Sequence, residues 1–419
     1  MFLTYSTNCS DMEYSFFNKN TTLSGIAFKE HNRKKKIIQH LSNAGEATIP
    51  ELSELLNISV PKTTELITGL QSEGLVNDAG RKTDGIGRKA AVYSLNKESC
   101  YFLGVEIKKY KVNIALMGFD KTIIDSSLNI PFPFSGNRAS LDAIITDIHD
   151  FLERLSIPKE KILGVGLSIA GRINVKTGHV LTIYHFANVP FNIKNILQEA
   201  LDLPVYIDND SRTIAYGEYY FSNVMLPKTT LILNIDYGSA LGIFIDGKPI
   251  YGASGYAGEL GHIPIFNNEK ICFCGKKGCM ETEASGVALI DYIKSKMEEG
   301  SSSRLQNVLT DKGYIELEDV VEAVHLGDNL AIEAVSAIGY KFGKGLSVAI
   351  NLFNPDLIIL GGILSGAGTA LLLPIQSSIY QYSLGLVSND TRVILSKANE
   401  QAGIQGCCLL VRDKVLGLV

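Results

Sequence analysis

The sequence predicts an α/β protein that carries a small helical head at its N-terminus. Three observations predict it. From about residue 98 onward, short apolar runs of strand length alternate with longer stretches of helical periodicity, the pattern of an α/β body. Before that, residues 29–96 hold two short helical patterns joined by a tight turn and followed by a glycine-rich basic loop. Within the body, one histidine and three cysteines crowd into residues 262–279.

At 419 residues the chain is long enough for two or three domains. The expected division is an arm at 1–28, a head at 29–97 and a body at 98–419. A hydrophobic fraction of 46% against 20% charged residues supports large buried cores. No apolar run approaches the length of about 18 residues that a membrane span needs. The opening MFLTYSTNCSDMEYSFFNKN is polar and lacks a basic start followed by an apolar core. It is not expected to be a secretory leader, and a cytoplasmic location is expected. Net charge is −5 for the chain, but residues 29–96 hold ten Lys/Arg against eight Asp/Glu, a net of +2. A mildly basic head on an acidic body suits a protein whose head alone meets phosphate.

The head reads in order. Ile37, Ile38 and Leu41 recur at helical spacing from His31 to Asn43, behind Arg33, Lys34, Lys35 and Lys36, and Gly45 ends the helix. Thr48 caps a second helix with Leu52, Leu55 and Leu56 on one face. Asn57-Ile58-Ser59 is a turn, and Pro61 opens a third helix that buries Leu66, Ile67 and Leu70 and stops at Gly74. This is the helix-turn-helix arrangement, whose last helix enters the major groove by its N-terminal end. That end offers Ser59, Lys62, Thr63 and Thr64 to bases and phosphates. Strand-prone runs at 75–76 and 90–95 flank a loop with Arg81, Lys82, Arg88 and Lys89, which reads as a basic wing. Double-stranded DNA is the expected partner of the head.

In the body, strands are expected at 102–107, 112–117, 162–167, 205–207, 231–235, 241–245 and 357–360. Helices are expected at 141–155, 192–200, 331–353 and 403–410. His262, Cys272, Cys274 and Cys279 give the spacing H-x9-C-x-C-x4-C. One imidazole and three thiolates make a closed tetrahedral set, which suits structural zinc and leaves no open position for hydrolysis. Three cysteines within eight residues also make poor disulfide geometry and fit a reducing compartment.

The string GELGH followed by CFCGKKGCMETEASG resembles the signature of the ROK family, which joins bacterial repressors and sugar kinases. VGLSIAGRIN at 165–174, VYIDNDSRTIAYGE at 205–218 and PDLIILGGILSG at 355–366 resemble further segments of that family. With the winged head, the resemblance spans nearly all of the chain after residue 29. It implies an actin-like ATPase (ribonuclease H-like) body of two lobes with a sugar or sugar phosphate between them. It also implies assembly as a homodimer or homotetramer, as palindromic operator DNA favours.

Carried over residue by residue, the resemblance places Gly171, Asn188, Asn209, Asp210, Glu259, His262 and Glu281 around a sugar. Carboxylates accept from its hydroxyls and Asn supplies both hydrogen-bonding roles. His262 would serve metal and sugar with its two nitrogens. The loop around Asn188 departs from the family at Val189-Pro190-Phe191. Asp210 matches the base of the kinases. The two phosphate turns of those kinases are degraded here. GVEIKKYKVN at 104–113 has Glu106 near the aspartate position but Lys108, Lys109 and Tyr110 for the Gly-Gly-Thr. NIDYGSALG at 234–242 keeps Gly238 and Gly242 but sets Asp236 where phosphate should lie. Because phosphoryl transfer rests on positioning and charge neutralisation, the expectation is a sugar-responsive repressor without kinase activity. The alternative is an ATP-dependent sugar kinase with a DNA-binding head.

Overall fold

A computed structural model describes residues 25–82, 90–108, 110–132, 137–175, 177–183, 186–187, 192–221, 227–398 and 401–418. The head runs α1 (Gly25–Ala44), β1 (Glu46–Thr48), α2 (Ile49–Leu56), α3 (Val60–Ser72), β2 (Val76–Lys82) and β3 (Ala90–Leu95). Thr48 and Glu51 close a capping box at α2, which satisfies donors that a helix start leaves open. Asn57 ends α2 in the left-handed region at φ 49°, a conformation Asn tolerates. Strands β1, β3 and β2 form an antiparallel sheet.

The sequence reading differs from this head at three points. Helix α1 begins at Gly25, six residues before the expected start. Leu55 faces solvent at 45% exposure, so α2 buries Leu52 and leans on the half-buried Leu56. Arg81 and Lys82 lie in strand β2, which extends through them, whereas Arg88 and Lys89 fall outside the described residues.

The body continues with β4 (Tyr101–Ile107), β5 (Lys111–Gly118), β6 (Ile123–Pro131), α4 (Arg138–Leu155), β7 (Ile162–Ile169), β8 (Arg172–Asn174), β9 (His179–Ile183), β10 (Phe186–Ala187), α5 (Ile193–Leu201) and β11 (Val205–Asn209). Then come α6 (Asp210–Phe221), β12 (Thr229–Ile235), β13 (Ser239–Ile245), β14 (Lys248–Pro249), α7 (Gly286–Glu298), α8 (Leu305–Lys312), α9 (Leu317–His325) and α10 (Asn329–Phe353). The chain ends with β15 (Leu357–Gly361), α11 (Thr369–Tyr382), α12 (Gly385–Asp390), β16 (Arg392–Leu395) and α13 (Ala402–Leu416).

Two five-stranded sheets repeat one strand order, β6-β5-β4-β7-β11 and β14-β13-β12-β15-β16. Each is an antiparallel meander extended by two further strands; in the second sheet those added strands run parallel. This duplicated order is that of the actin-like ATPase fold. Strands β4 and β7 are buried along their whole length, which is why they read as continuous apolar runs. Among the described residues no helix is long and apolar enough to cross a membrane.

Two compact units emerge. One holds residues 1–167, 189–207 and 407–419, head included; the other holds 168–188 and 208–406. In the second unit, Glu218 of α6 is 1% exposed and accepts a hydrogen bond from Ser396 Oγ. Burial pushes its carboxyl from 4.5 up to about 7. The folded chain therefore holds this proton more tightly than the unfolded chain. Native stability should fall as pH rises from 4.5 to about 7 and stay level above that. Comparing urea unfolding near about pH 5 and about pH 8, Glu218→Gln is expected to gain about 2 to 3 kcal/mol on the parent across that interval. An equal pH slope in both proteins would contradict this.

Candidate functional site

The metal-ligand set comes together as its spacing predicts. The ligand atoms of His262, Cys272, Cys274 and Cys279 all lie within 4.8 Å of one another. Local backbone makes this possible. Leu260–His262 and Met280–Thr282 are single 3-10 turns, and Pro264 pairs with Cys279 while Ile271 pairs with Lys277. The Met280 N–H donates to Ile263 O at 2.9 Å, which ties the two turns to each other. Gly278 sits at φ +76°, and a side chain there would overlap the Phe266 carbonyl oxygen. Only glycine returns Cys279 to the cluster.

His262 Nδ1 lies 3.5 Å from Cys272 Sγ, and Cys274 Sγ lies 3.5 Å from Cys279 Sγ. Burial and the neighbouring thiols raise the Cys279 thiol to about 12, and burial raises Cys272 as well. Thiols packed so closely need a cation to hold them as thiolates. The four donors fit a tetrahedral zinc ion in type and spacing.

The other ring nitrogen of His262 points to an acid: Nε2 is 3.7 Å from Glu259 Oε2. A ligand bound at Nδ1 therefore fixes the ring that Glu259 faces. Glu259 is 45% exposed in its side chain, so its carboxylate remains open to solvent or ligand. Gly258, at φ +88°, lies so close to Leu241 O that no side chain would fit, which sets Glu259 at the edge of β13.

Glu281 is seated by a backbone donor and two glycines. Its Oε2 accepts from the Ser239 N–H at 3.3 Å, and a side chain at Gly238 or Gly261 would bring its Cβ within 3.1 Å of the same oxygen. Sequence reasoning missed Gly258, Ser239 and Gly261, because a backbone donor and a close approach leave no side-chain signature.

Asn209 and Asp210 stand at the junction of β11 and α6. Asn209 Nδ2 donates to Gly171 O and to Asp210 Oδ1, each at 2.9 Å. Asn209 Oδ1 accepts the Ser211 N–H at 3.1 Å, and Asp210 Oδ1 accepts it at 2.8 Å. The carboxylate thus sits at a helix N-terminus, where the macrodipole favours negative charge. Two contacts lead from this pair toward the acidic turns. Asn234 Nδ2 donates to Ser211 Oγ at 3.3 Å, and Arg212 Nη1 donates to Gly255 O. Gly171, Asn209, Asp210, Glu259, His262 and Glu281 all belong to one unit. Asn188 lies outside the described residues.

The two segments that stand for phosphate turns bond to their own side chains. Glu106 is 1% exposed and accepts from Asn113 Nδ2 at 2.6 Å, with Lys108 Nζ at 3.9 Å. Lys109 lies outside the described residues. In the second segment the Tyr237 N–H donates to Asp236 Oδ1 at 2.8 Å, and the Asp236 N–H donates to Gly238 O at 3.0 Å. The Ser239 N–H is taken by Glu281. Backbone donors of the kind that cradle phosphate are here bonded to the chain's own oxygens. Gly238 makes room for Glu281.

On the head, Ser59 and Thr64 are exposed, and Thr64 Oγ1 donates to Val60 O at 2.9 Å. Thr63 is 0% exposed and donates to Ser59 O at 3.2 Å. It belongs to the head's core and cannot read a base, which corrects the sequence reading. Lys62 Nζ is paired with Glu30 and, at 2.9 Å, with Glu65. The exposed stripe of α3 continues through Thr68 and Gln71; the period of the helix could have found these two.

Comparison with known proteins places these features in a group. The model of the ROK family matches residues 102–414, and a model described as winged helix-turn-helix DNA-binding matches residues 31–77. The xylose repressor of Caldicellulosiruptor bescii is 28% identical over 378 residues, covering 87% of this chain and 92% of its own. A crystal structure of a ROK family transcriptional regulator, a homologue of the E. coli MLC protein, superposes with TM-score 0.77 at 25% identity. It covers 93% of this chain and 98% of that one. A ROK family glucokinase from Streptomyces griseus, solved with glucose and AMPPNP, gives TM-score 0.64 at 26% identity over 75% of this chain and 99% of its own.

Proposed function

The chain belongs to the ROK family, and we propose that it is a sugar-responsive transcriptional repressor that binds operator DNA through its winged head. The observation that carries this reading is the second phosphate segment. There Asp236 and Glu281 take the backbone N–H groups of Tyr237 and Ser239, beside an acidic and amide cluster suited to sugar hydroxyls. The head matches a DNA-binding model, and a relative of matching length is named a repressor.

In this reading Asn209, Asp210, Glu259 and Glu281 bind hydroxyls, with Asn188 and the Gly171 carbonyl beside them. His262 joins that cluster to a structural zinc ion, which orients the ring and supplies no chemistry to the sugar. On the head, Ser59, Thr64, Lys62 and Arg81 meet DNA, with Lys82, Arg88 and Lys89 of the wing. A homodimer or homotetramer would present two heads to a two-fold operator. Xylose, glucose and their phosphates are the first effectors to try, because one relative is named a xylose repressor and the solved glucokinase holds glucose.

Asp210→Ala and Glu259→Ala test the reading in gel-shift titrations. Operator affinity without sugar should match the parent. The sugar concentration needed for release should rise about 30-fold or more, since each carboxylate hydrogen bond is worth about 2 kcal/mol. Unchanged release in both variants would exclude these residues as the effector site.

A further inference from the structure

We propose that Arg412 positions the winged head on the body and that the effector signal reaches DNA through it; the second half rests on the reading above. Within the first unit the head is not a separate globule. Ile37, Ile38 and Leu41 of α1 share one apolar cluster with Phe102, Phe119, Leu163, Val411 and Leu416 of the body. One large cation lies in this junction. Arg412 is 1% exposed, among the most buried side chains of the chain.

Its guanidinium holds three elements at once. Nη2 donates to Ser42 Oγ in the last turn of α1 at 2.7 Å, and Nε donates to Phe119 O after β5 at 3.2 Å. Nη1 donates to Asp413 Oδ1 on its own helix at 2.8 Å. Lys121 Nζ adds a bond to Asn43 Oδ1 at 2.9 Å. Both cations sit at the C-terminal end of α1, where the helix dipole favours positive charge. A buried ion pair is a poor source of stability, because desolvation offsets most of its attraction. What the planar fork supplies is direction: three acceptors in fixed geometry fix α1 against β5 and α13.

Helix α13 also packs on α6. At its other end, Gly406 lies so close to Thr213 O, and Gly217 so close to Ala402 O, that neither could carry a side chain. These backbone contacts join α13 to α6, the helix that starts at Asp210. A shift of α6 on sugar binding would therefore move the helix that carries Arg412.

The double variant Arg412→Met, Asp413→Asn removes the latch without stranding a buried carboxylate. Hydrogen exchange of the full chain should show amides of α1 and of residues 96–100 exchanging at least tenfold faster, with residues 208–406 unchanged. Sugar affinity by calorimetry and metal content should match the parent. Operator affinity should fall at least tenfold, and sugar should no longer change it. Unchanged exchange in α1 would overturn the latch whatever the DNA assay shows. Faster exchange with intact operator affinity and sugar response would overturn the signalling role. If the double variant does not fold, Ser42→Ala removes only the tie to the head and should raise α1 exchange about threefold; no change there also overturns the latch. A parent chain that binds neither operator nor sugar would refute the proposed function and leave the exchange result to decide the latch.

Discussion

Chain stripped of metal, or carrying Cys279→Ser, is expected to melt about 10 °C lower than the parent and to lose effector binding at the same time. The two effects share one cause. Cys279 is 0% exposed and begins the turn that carries Glu281, while His262 ends the turn that follows Glu259. With no cation, the Cys272 and Cys279 thiols, both raised by burial, take up protons, and the imidazole loses the ligand that orients it. Structural zinc contributes about 10 kcal/mol or more where it organises a whole peptide. Here it organises one loop of a larger core, so a loss of about 4 kcal/mol is the expected scale. Effector affinity should fall about 100-fold, because Glu259 and Glu281 are both held by the turns that the metal clamps. A control separates the effects: Glu281→Gln should keep full metal content and the parent's melting temperature while binding sugar poorly. Metal-free protein with unchanged melting and unchanged sugar affinity would show that the cluster does not organise the site.

How much of this was legible in the sequence depended on what each feature is made of. Strands buried on both faces, such as β4 and β12, showed themselves as apolar runs. The metal set showed itself because ligand chemistry fixes both residue type and spacing. Strand β6 escaped notice because its residues IIDSSLNIP are only half-buried and carry polar side chains on both faces. Helices α7 to α9 escaped because their apolar positions are interrupted by charge, with their burial decided by long-range packing against α10. Thr63 misled because a hydroxyl reads as a surface group, yet its Oγ1 is satisfied by Ser59 O inside the helix turn. The seat of Glu281 was invisible because it is built from a backbone N–H and two glycines. The role of Arg412 was invisible for another reason: nothing in residues 411–413 hints that Ser42, some 370 positions earlier, would be its partner.

Supplied with ATP, magnesium and a panel of hexoses, pentoses and N-acetylhexosamines, the chain is expected to release no ADP above background. Asp210→Asn is expected to be indistinguishable from the parent in that assay. A working kinase turns over at about 1 to 100 per second, so the expected deficit is about a thousandfold or more. The reason lies in donors already spent. To seat a phosphate, the Tyr237 N–H would have to leave the Asp236 carboxylate, and that carboxylate would remain beside the incoming negative charge. The Ser239 N–H would have to leave Glu281, which removes a residue proposed to hold the sugar. In this chain the two tasks compete for the same backbone groups. The first segment adds a buried Glu106 in place of the aspartate and long side chains in place of glycines. Retention of Asp210 is not expected to restore the activity, since a base with no positioned phosphoryl group has nothing to complete. Replacing Asp236 with glycine should therefore leave turnover at background, because Glu281 and the first segment still oppose the nucleotide. Turnover in the parent that vanishes in Asp210→Asn would show instead that the self-bonded segment opens for ATP, and the chain would have to be counted as an enzyme.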